Sequence, residues 1–317
     1  MKYGVVSNCG SGNLGDDIMF RTMQQLAPAV EFSRIPLAQA PDATRGCVKS
    51  NWDRMIVGGG DLVSPSTYYR GNWDRVNEPF QVFGAGVALD NPAQEFAVDK
   101  YAERLKRVTR IIARDAESAT WLQRVSGCDN VGHAADIAWA YEPELECSPM
   151  QGVLALVGPL VDCERRAEEV ADAAKKIGIE PVWIVGNTDE VSGDYRRTTK
   201  LAIDRGEQYI TGLPEYRWAA IRAAQFVWSW KFHGWIAGLS SPGTAVYDID
   251  RHAGAALQHQ LDLPGWMYPR GVRRVGETLD AMIDNYAVGK AGCVFASIVR
   301  ADAMVVYSDA LSMFPHC

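Results

Sequence analysis

A chain of 317 residues is long enough for two domains of roughly 150 residues each. With 47% hydrophobic and 22% charged residues it is not a disordered chain, and 32 Lys+Arg against 39 Asp+Glu, a formal charge of -7, argue against a broad nucleic-acid-binding surface while allowing a locally basic pocket. No apolar run approaches the ~20 residues of a membrane span, the first residues enter a glycine-rich turn too early for a signal-peptide core, and seven cysteines without a CxxC pair fit reduced thiols. A cytoplasmic protein is expected, with peripheral contact to a membrane left open and oligomeric state unread.

Short β-branched runs alternate with longer segments of helical character, the pattern of βαβ units around a mostly parallel sheet. Residues 3–7 read as the first strand, the glycine-rich stretch after them leads into a helix over 16–26, and 30–35 reads as a second strand. A buried strand at 55–57 stops at Gly58-Gly59-Gly60. Strands follow at 81–84 and 110–113, then a helix over 116–125 with Ala119, Leu122 and Val125 at three-residue spacing.

Residues 142–151 carry two prolines and several acidic residues with little periodicity, and read as a linker. The alternation then restarts: strand 152–157, helix 163–176, strand 181–185, helix 194–205, strand 208–211, helix 214–224, strand 226–228, a helix from 235 and a strand at 245–248. A helix over 275–286 follows, and the apolar stretch after Cys293 is expected to pack back on one of the halves. The expected fold class is α/β: two Rossmann-like domains, 1–149 and 150–317, facing across a cleft. Open α/β sheets bind ligands beyond the carboxyl ends of their strands.

Gly10-Ser11-Gly12-Asn13-Leu14-Gly15 matches GxGxxG between a strand and a helix. Such a turn lets backbone approach an anion and points helix N–H groups at it. A dinucleotide site also wants an acidic residue near position 35, where Arg34 stands instead, so NAD is disfavoured. Three readings stay open: a substrate or anion contact through Gly12, Asn13 and Gly15, a plain turn with Asp16 or Asp17 capping the helix, or, least favoured, a nicotinamide cofactor with a phosphorylated ribose. Gly59, Gly60 and Asp61 likewise read as a ligand turn or a crowded one.

Taken together, Asn13-x-Gly15-Asp16, Gly58-Gly59-Gly60-Asp61-Leu62, Ala113-Arg114-Asp115-x-x-Ser118, Ala135-Asp136 and Ser229-Trp230-Lys231-Phe232-His233-Gly234-Trp235-Ile236-Ala237-Gly238, followed by Pro242, resemble the polysaccharide pyruvyl transferase family in content and order. The resemblance implies a GT-B-like fold. It also implies transfer of a pyruvyl group from phosphoenolpyruvate to two hydroxyls of a saccharide, or of a saccharide on a carrier, as a cyclic ketal in polysaccharide biosynthesis. Phosphoenolpyruvate is then a co-substrate, and no cofactor or metal is expected. The family's last motif usually carries Arg two residues before the His; here Lys231 stands there, keeping the charge but losing the bidentate fork.

Such a donor carries a carboxylate and a phosphate, so its pocket must gather cations. Lys231, Arg251, Arg270, Arg273 and Arg114 are the candidates for holding it. His233 is the candidate acid/base, since imidazole titrates in the useful range, and Asp16 the candidate carboxylate on the acceptor hydroxyl. The acceptor or anion set is Gly12, Asn13, Gly15, Asp17, Gly59, Gly60 and Asp61. Trp228, Trp230 and Trp235 read either as core or as a platform for a sugar face. Two alternatives share the fold: a glycosyltransferase using a nucleotide sugar, and a non-catalytic sugar- or anion-binding protein.

Overall fold

The structure, a computed structural model, describes residues 1–7, 9–36, 52–63, 79–87, 102–103, 105–189, 193–241, 244–249, 252–264, 267, 274–288 and 291–312. The chain divides into two compact units. Met1–Gly10, Asp16–Glu142 and Val299–Cys317 make the first, and Ser11–Gly15 with Pro143–Ile298 the second.

In the first unit, β1 (Lys2–Ser7), β2 (Glu31–Pro36), β3 (Arg54–Gly58), β4 (Asp61–Val63), β5 (Phe80–Val87), β6 (Val108–Ala113) and β7 (Val131–His133) form one sheet. The order is β2-β1-β3-β5-β6-β7 with β4 on β5, and every pairing is parallel. A parallel sheet covered on both faces needs unbroken apolar strands, and β5 is buried along its whole length. Val57, Val82, Ala85, Ile111 and Leu122 share its core with Trp121. The last two belong to α2 (Ala116–Ser126), which Asp115 caps by accepting from Ser118 N and which ends on left-handed Gly127.

α1 (Leu14–Leu26) starts two residues before its expected position. The reason is its cap: Asn13 Oδ1 accepts from Gly15 N at 3.1 Å. Asp17 instead accepts from Gly10 N. The three-residue strands β4 and β7 were not foreseen, because a run such as Val-Gly-His is too short to show alternation.

In the second unit, β8 (Met150–Val157), β9 (Glu180–Ile184), β10 (Gln208–Ile210), β11 (Ala224–Ser229) and β12 (Thr244–Tyr247) pair in the order β10-β9-β8-β11-β12, again all parallel. The helices are α3 (Glu164–Lys176), α4 (Asp194–Asp204), α5 (Pro214–Ala223), α6 (Phe232–Leu239), α7 (His252–Gln260) and α8 (Val275–Val288). Trp228, Trp230 and Trp235 are fully buried, so they are core and not an exposed platform. Trp235 stacks on Tyr247 at 5.3 Å between ring centres. The last helix, α9 (Ala291–Ser312), turns Val299, Ala303, Tyr307, Ala310 and Leu311 inward, at the three- and four-residue spacing of one helical face, within the stretch that belongs to the first unit. Among the described residues no helix is long and apolar enough to cross a membrane.

Candidate functional site

The carboxyl ends of β9, β8 and β11 lie side by side because β8 is the middle strand. From β11 the chain turns at Trp230-Lys231 into α6. Ser229 Oγ braces that turn, accepting from Lys231 N at 3.0 Å and donating to Lys231 O at 2.7 Å. Helix α6 must sit tight against this brace: a Cβ on Gly234 would stand 2.5 Å from Ser229 Oγ and 2.7 Å from Val157 Cγ1. Lys231 is the residue before the first helical one, with no side-chain cap and no acidic residue in the first turn. A cation and an uncapped helix start thus fall together, an arrangement that favours an anion.

His233 is the second residue of α6, which starts at Phe232 rather than at the expected position 235. It is half-buried, and Gly15 lies against its ring: a Cβ built there would be 1.9 Å from Nδ1 and 2.4 Å from Cγ. Glycine is therefore demanded at 15 by proximity. At Gly12 both reasons apply, since φ is +80° and a Cβ would stand 2.3 Å from Thr188 Oγ1.

The 11–15 turn belongs to the second unit through main-chain bonds. Leu14 N donates to Gly186 O at 2.9 Å, Thr188 N to Gly12 O at 3.0 Å, and Asn13 bridges Asn187. Arg217 of α5, fully buried, completes the join. Its Nη1 donates to Val185 O at 2.9 Å and Gly186 O at 3.1 Å, and Nη2 to Gly12 O at 3.0 Å. Lys231 runs past two glycines, since a Cβ on Gly158 would be 2.7 Å from Lys231 Cε and one on Gly186 2.9 Å from the same atom. Its ammonium ends 2.9 Å from Asp194 Oδ2.

The second unit thus gathers Gly12, Asn13, Gly15, Lys231 and His233. The first holds the remaining described candidates. Asp16 lies over the Gly59-Gly60 turn, its Oδ1 3.3 Å and 3.6 Å from the positions of Cβ atoms built on those residues, whose φ values are +93° and +67°. Asp16 and Asp17 are both buried. Gly60 O accepts from Gly86 N at 2.9 Å. Arg114 is buried across Gly86, and its Nε is 3.9 Å from Asp115 Oδ2. Asp115 also accepts from Ser118 N and Oγ at 2.7 Å and 2.9 Å, so it serves the start of α2. Arg251, Arg270, Arg273 and Pro242 lie outside the described residues, as does the side chain of Asp61. No group of three His, Cys, Asp or Glu among the described residues could hold a metal ion.

Sequence reasoning missed Asp194 and Arg217. Asp194 reads locally as an acidic helix start, and Arg217 as one more charge in Pro-Glu-Tyr-Arg-Trp-Ala-Ala-Ile. The available signal was that Arg217 stands next to Trp218-Ala219-Ala220-Ile221, a run with no polar side to expose it.

A family model described as polysaccharide pyruvyl transferase matches residues 13–241. Among solved structures, the chain is similar to Staphylococcus aureus MnaA with UDP (10% identity, 97% of this chain and 94% of that one, TM-score 0.62). It is also similar to UDP-GlcNAc 2-epimerase from Neisseria meningitidis bound to UDP-GlcNAc (9%, 98% of each, TM-score 0.61). A third is the trehalose 6-phosphate synthase of Burkholderia multivorans (12%, 84% and 71%, TM-score 0.52). At these identities the likeness is one of fold, two Rossmann-like α/β units. No curated protein matches the chain by sequence.

Proposed function

Since the chain belongs to the polysaccharide pyruvyl transferase family, we propose that it moves a pyruvyl group from phosphoenolpyruvate to two hydroxyls of a saccharide, releasing phosphate and leaving a cyclic ketal. The observation that carries this reading is the start of α6, where Lys231 precedes the helix and His233, two residues on, lies against Gly15.

Protonation of the donor's methylene carbon leaves an oxocarbenium-like centre at C2. One hydroxyl adds there, the C–O bond to phosphate breaks, and the second hydroxyl closes the ring. Of the two hydroxyl protons, one balances the new methyl group and the other leaves on phosphate. His233 is assigned the proton transfers, which such a side chain accelerates by about 10²–10⁴. Lys231 and the first amides of α6 are assigned the phosphate or carboxylate. Asp16, over its own glycine turn in the first unit, is assigned to an acceptor hydroxyl. Arg251, Arg270, Arg273 and Arg114 remain assigned to the donor, and Gly12, Asn13, Gly15, Asp17, Gly59, Gly60 and Asp61 to acceptor or anion. No cofactor enters this scheme, and the donor and thiols suit a cytoplasmic setting.

The test is phosphate release that requires donor and saccharide together. His233→Ala should lower kcat about 100-fold or more with the melting temperature unchanged. Full turnover in that variant would remove the imidazole from the chemistry. In a thermal-shift screen, stabilisation by UDP with indifference to phosphoenolpyruvate would transfer the assignment to a nucleotide-sugar glycosyltransferase. Binding without turnover of any donor would leave a non-catalytic member.

A further inference from the structure

We propose that Asp194 is the positioning residue for Lys231, fixing the ammonium that receives the donor anion. This rests on the pyruvyl-transfer reading for the identity of the anion and on geometry alone for the pair. Asp194 is the first residue of α4, directly after Gly193 in the left-handed region. Its side chain is 4% exposed, against 30% for that of Lys231, so a buried carboxylate holds the ammonium of a partly open side chain at 2.9 Å. Thr198, one turn along α4, donates to the other oxygen, Oδ1, at 3.1 Å. That bond orients the carboxylate before any lysine reaches it.

The lane the lysine follows is just as constrained. Side chains at Gly158 or Gly186 would overlap its methylenes at 2.7–2.9 Å, and one at Gly186 would also stand 3.0 Å from Asp194 Oδ2. Two glycines from the ends of β8 and β9 and an acid from α4 therefore converge on one side chain from β11. Lysine has a flexible four-carbon stem and three donors. The glycine lane removes the stem's freedom, and Asp194 takes one donor direction, which sets where the others point. A lone arginine would bring its own planar fork; a lysine needs this external orientation to present its charge at a fixed point.

The reading separates from plain charge neutralisation. If Asp194 only cancelled the lysine's charge, Asp194→Asn would tighten anion binding and leave kcat alone. As a positioning residue, its loss should lower kcat about tenfold with donor KM changed less than threefold. Asp194→Asn and Lys231→Met should also be non-additive in kcat/KM. A second readout needs no turnover. Amine acylation of the native protein, followed by peptide mass spectrometry, should modify Lys231 at least tenfold more slowly than exposed Lys106, and Asp194→Asn should raise the Lys231 rate several-fold. Should that variant not fold, Thr198→Val keeps the ion pair, removes only the orienting bond and should raise the rate to a smaller extent. If Lys231 labels as fast as Lys106 in the wild type, or its rate is untouched by both substitutions, the positioning role is overturned even where pyruvyl transfer proceeds. If no pyruvyl transfer is found but the labelling behaves as stated, the pair stands and the donor assignment falls.

Discussion

The closest approach in the candidate site is between a residue with no side chain and one with a titratable ring. Gly15 has no positive φ, so an alanine there meets no backbone strain. It meets His233, whose Nδ1 would be 1.9 Å from the new methyl carbon. One of the two must move, and the imidazole at the start of α6 is the movable partner. Gly15→Ala should therefore displace the ring and cut kcat at least tenfold while costing about 1 kcal/mol of stability, the low end of the overpacking range, because a half-buried side chain can give way. Gly12→Ala is the contrasting control. There the left-handed backbone alone costs roughly 1–2 kcal/mol, and the Thr188 contact adds to it, so stability should fall first. Kinetics and urea melts on the pair separate a glycine kept for a neighbour from one kept for its backbone.

At the scale of elements, most strands and helices were legible because parallel strands buried on both faces leave apolar runs, as at 82–87 of β5 and 154–157 of β8, and amphipathic helices leave three- and four-residue spacing, as in α2. The candidate pair Lys231 and His233 was legible too, though only as a resemblance in a short motif. What escaped was whatever depended on a distant partner. Asp194 takes its meaning from a lysine thirty-seven positions on, and Arg217 from a glycine more than two hundred positions back; no local spacing encodes either. Asn13 was passed over as the cap of α1 because two aspartates sit closer to the expected start. Arg217 also gives the element-scale prediction. Its guanidinium serves three carbonyls from two separate segments, and a buried carbonyl left without its donor costs about 1–3 kcal/mol. Gly186 O and Gly12 O keep the N–H groups of Leu14 and Thr188, so the loss falls mainly on Val185 O and Arg217→Met should destabilise the protein by about 1–3 kcal/mol. It should also speed amide exchange at Leu14 and Thr188, whose N–H groups close the same join. Loss of stability without faster exchange at those two amides would mean that the arginine supports α5 alone.

For the whole molecule, the division of the chain is not the division of the sequence. Residues 11–15 belong with the second unit although both flanking segments belong with the first, and the chain returns to the first unit only from Val299. The turn against His233 is thus supplied by a segment remote in sequence from α6, and the first unit's core is closed by its last helix. Along that helix Ala303 is completely buried. Arg300 pairs with Glu142 at 3.0 Å, and Arg110 Nη1 donates to Ala310 O at 3.4 Å. Phe83 of β5 meets Tyr307 edge-on at 6.4 Å between ring centres. An unpaired charge on this face cannot be hydrated without peeling the helix away. Ala303→Asp should therefore raise amide exchange at least tenfold in β5 and β6, the strands that α9 covers, while β8 and β11 keep their protection. Such selectivity is what local cooperative units permit. Equal loss of protection in all four strands would show that the molecule opens as one body, and a single unfolding free energy would then describe it.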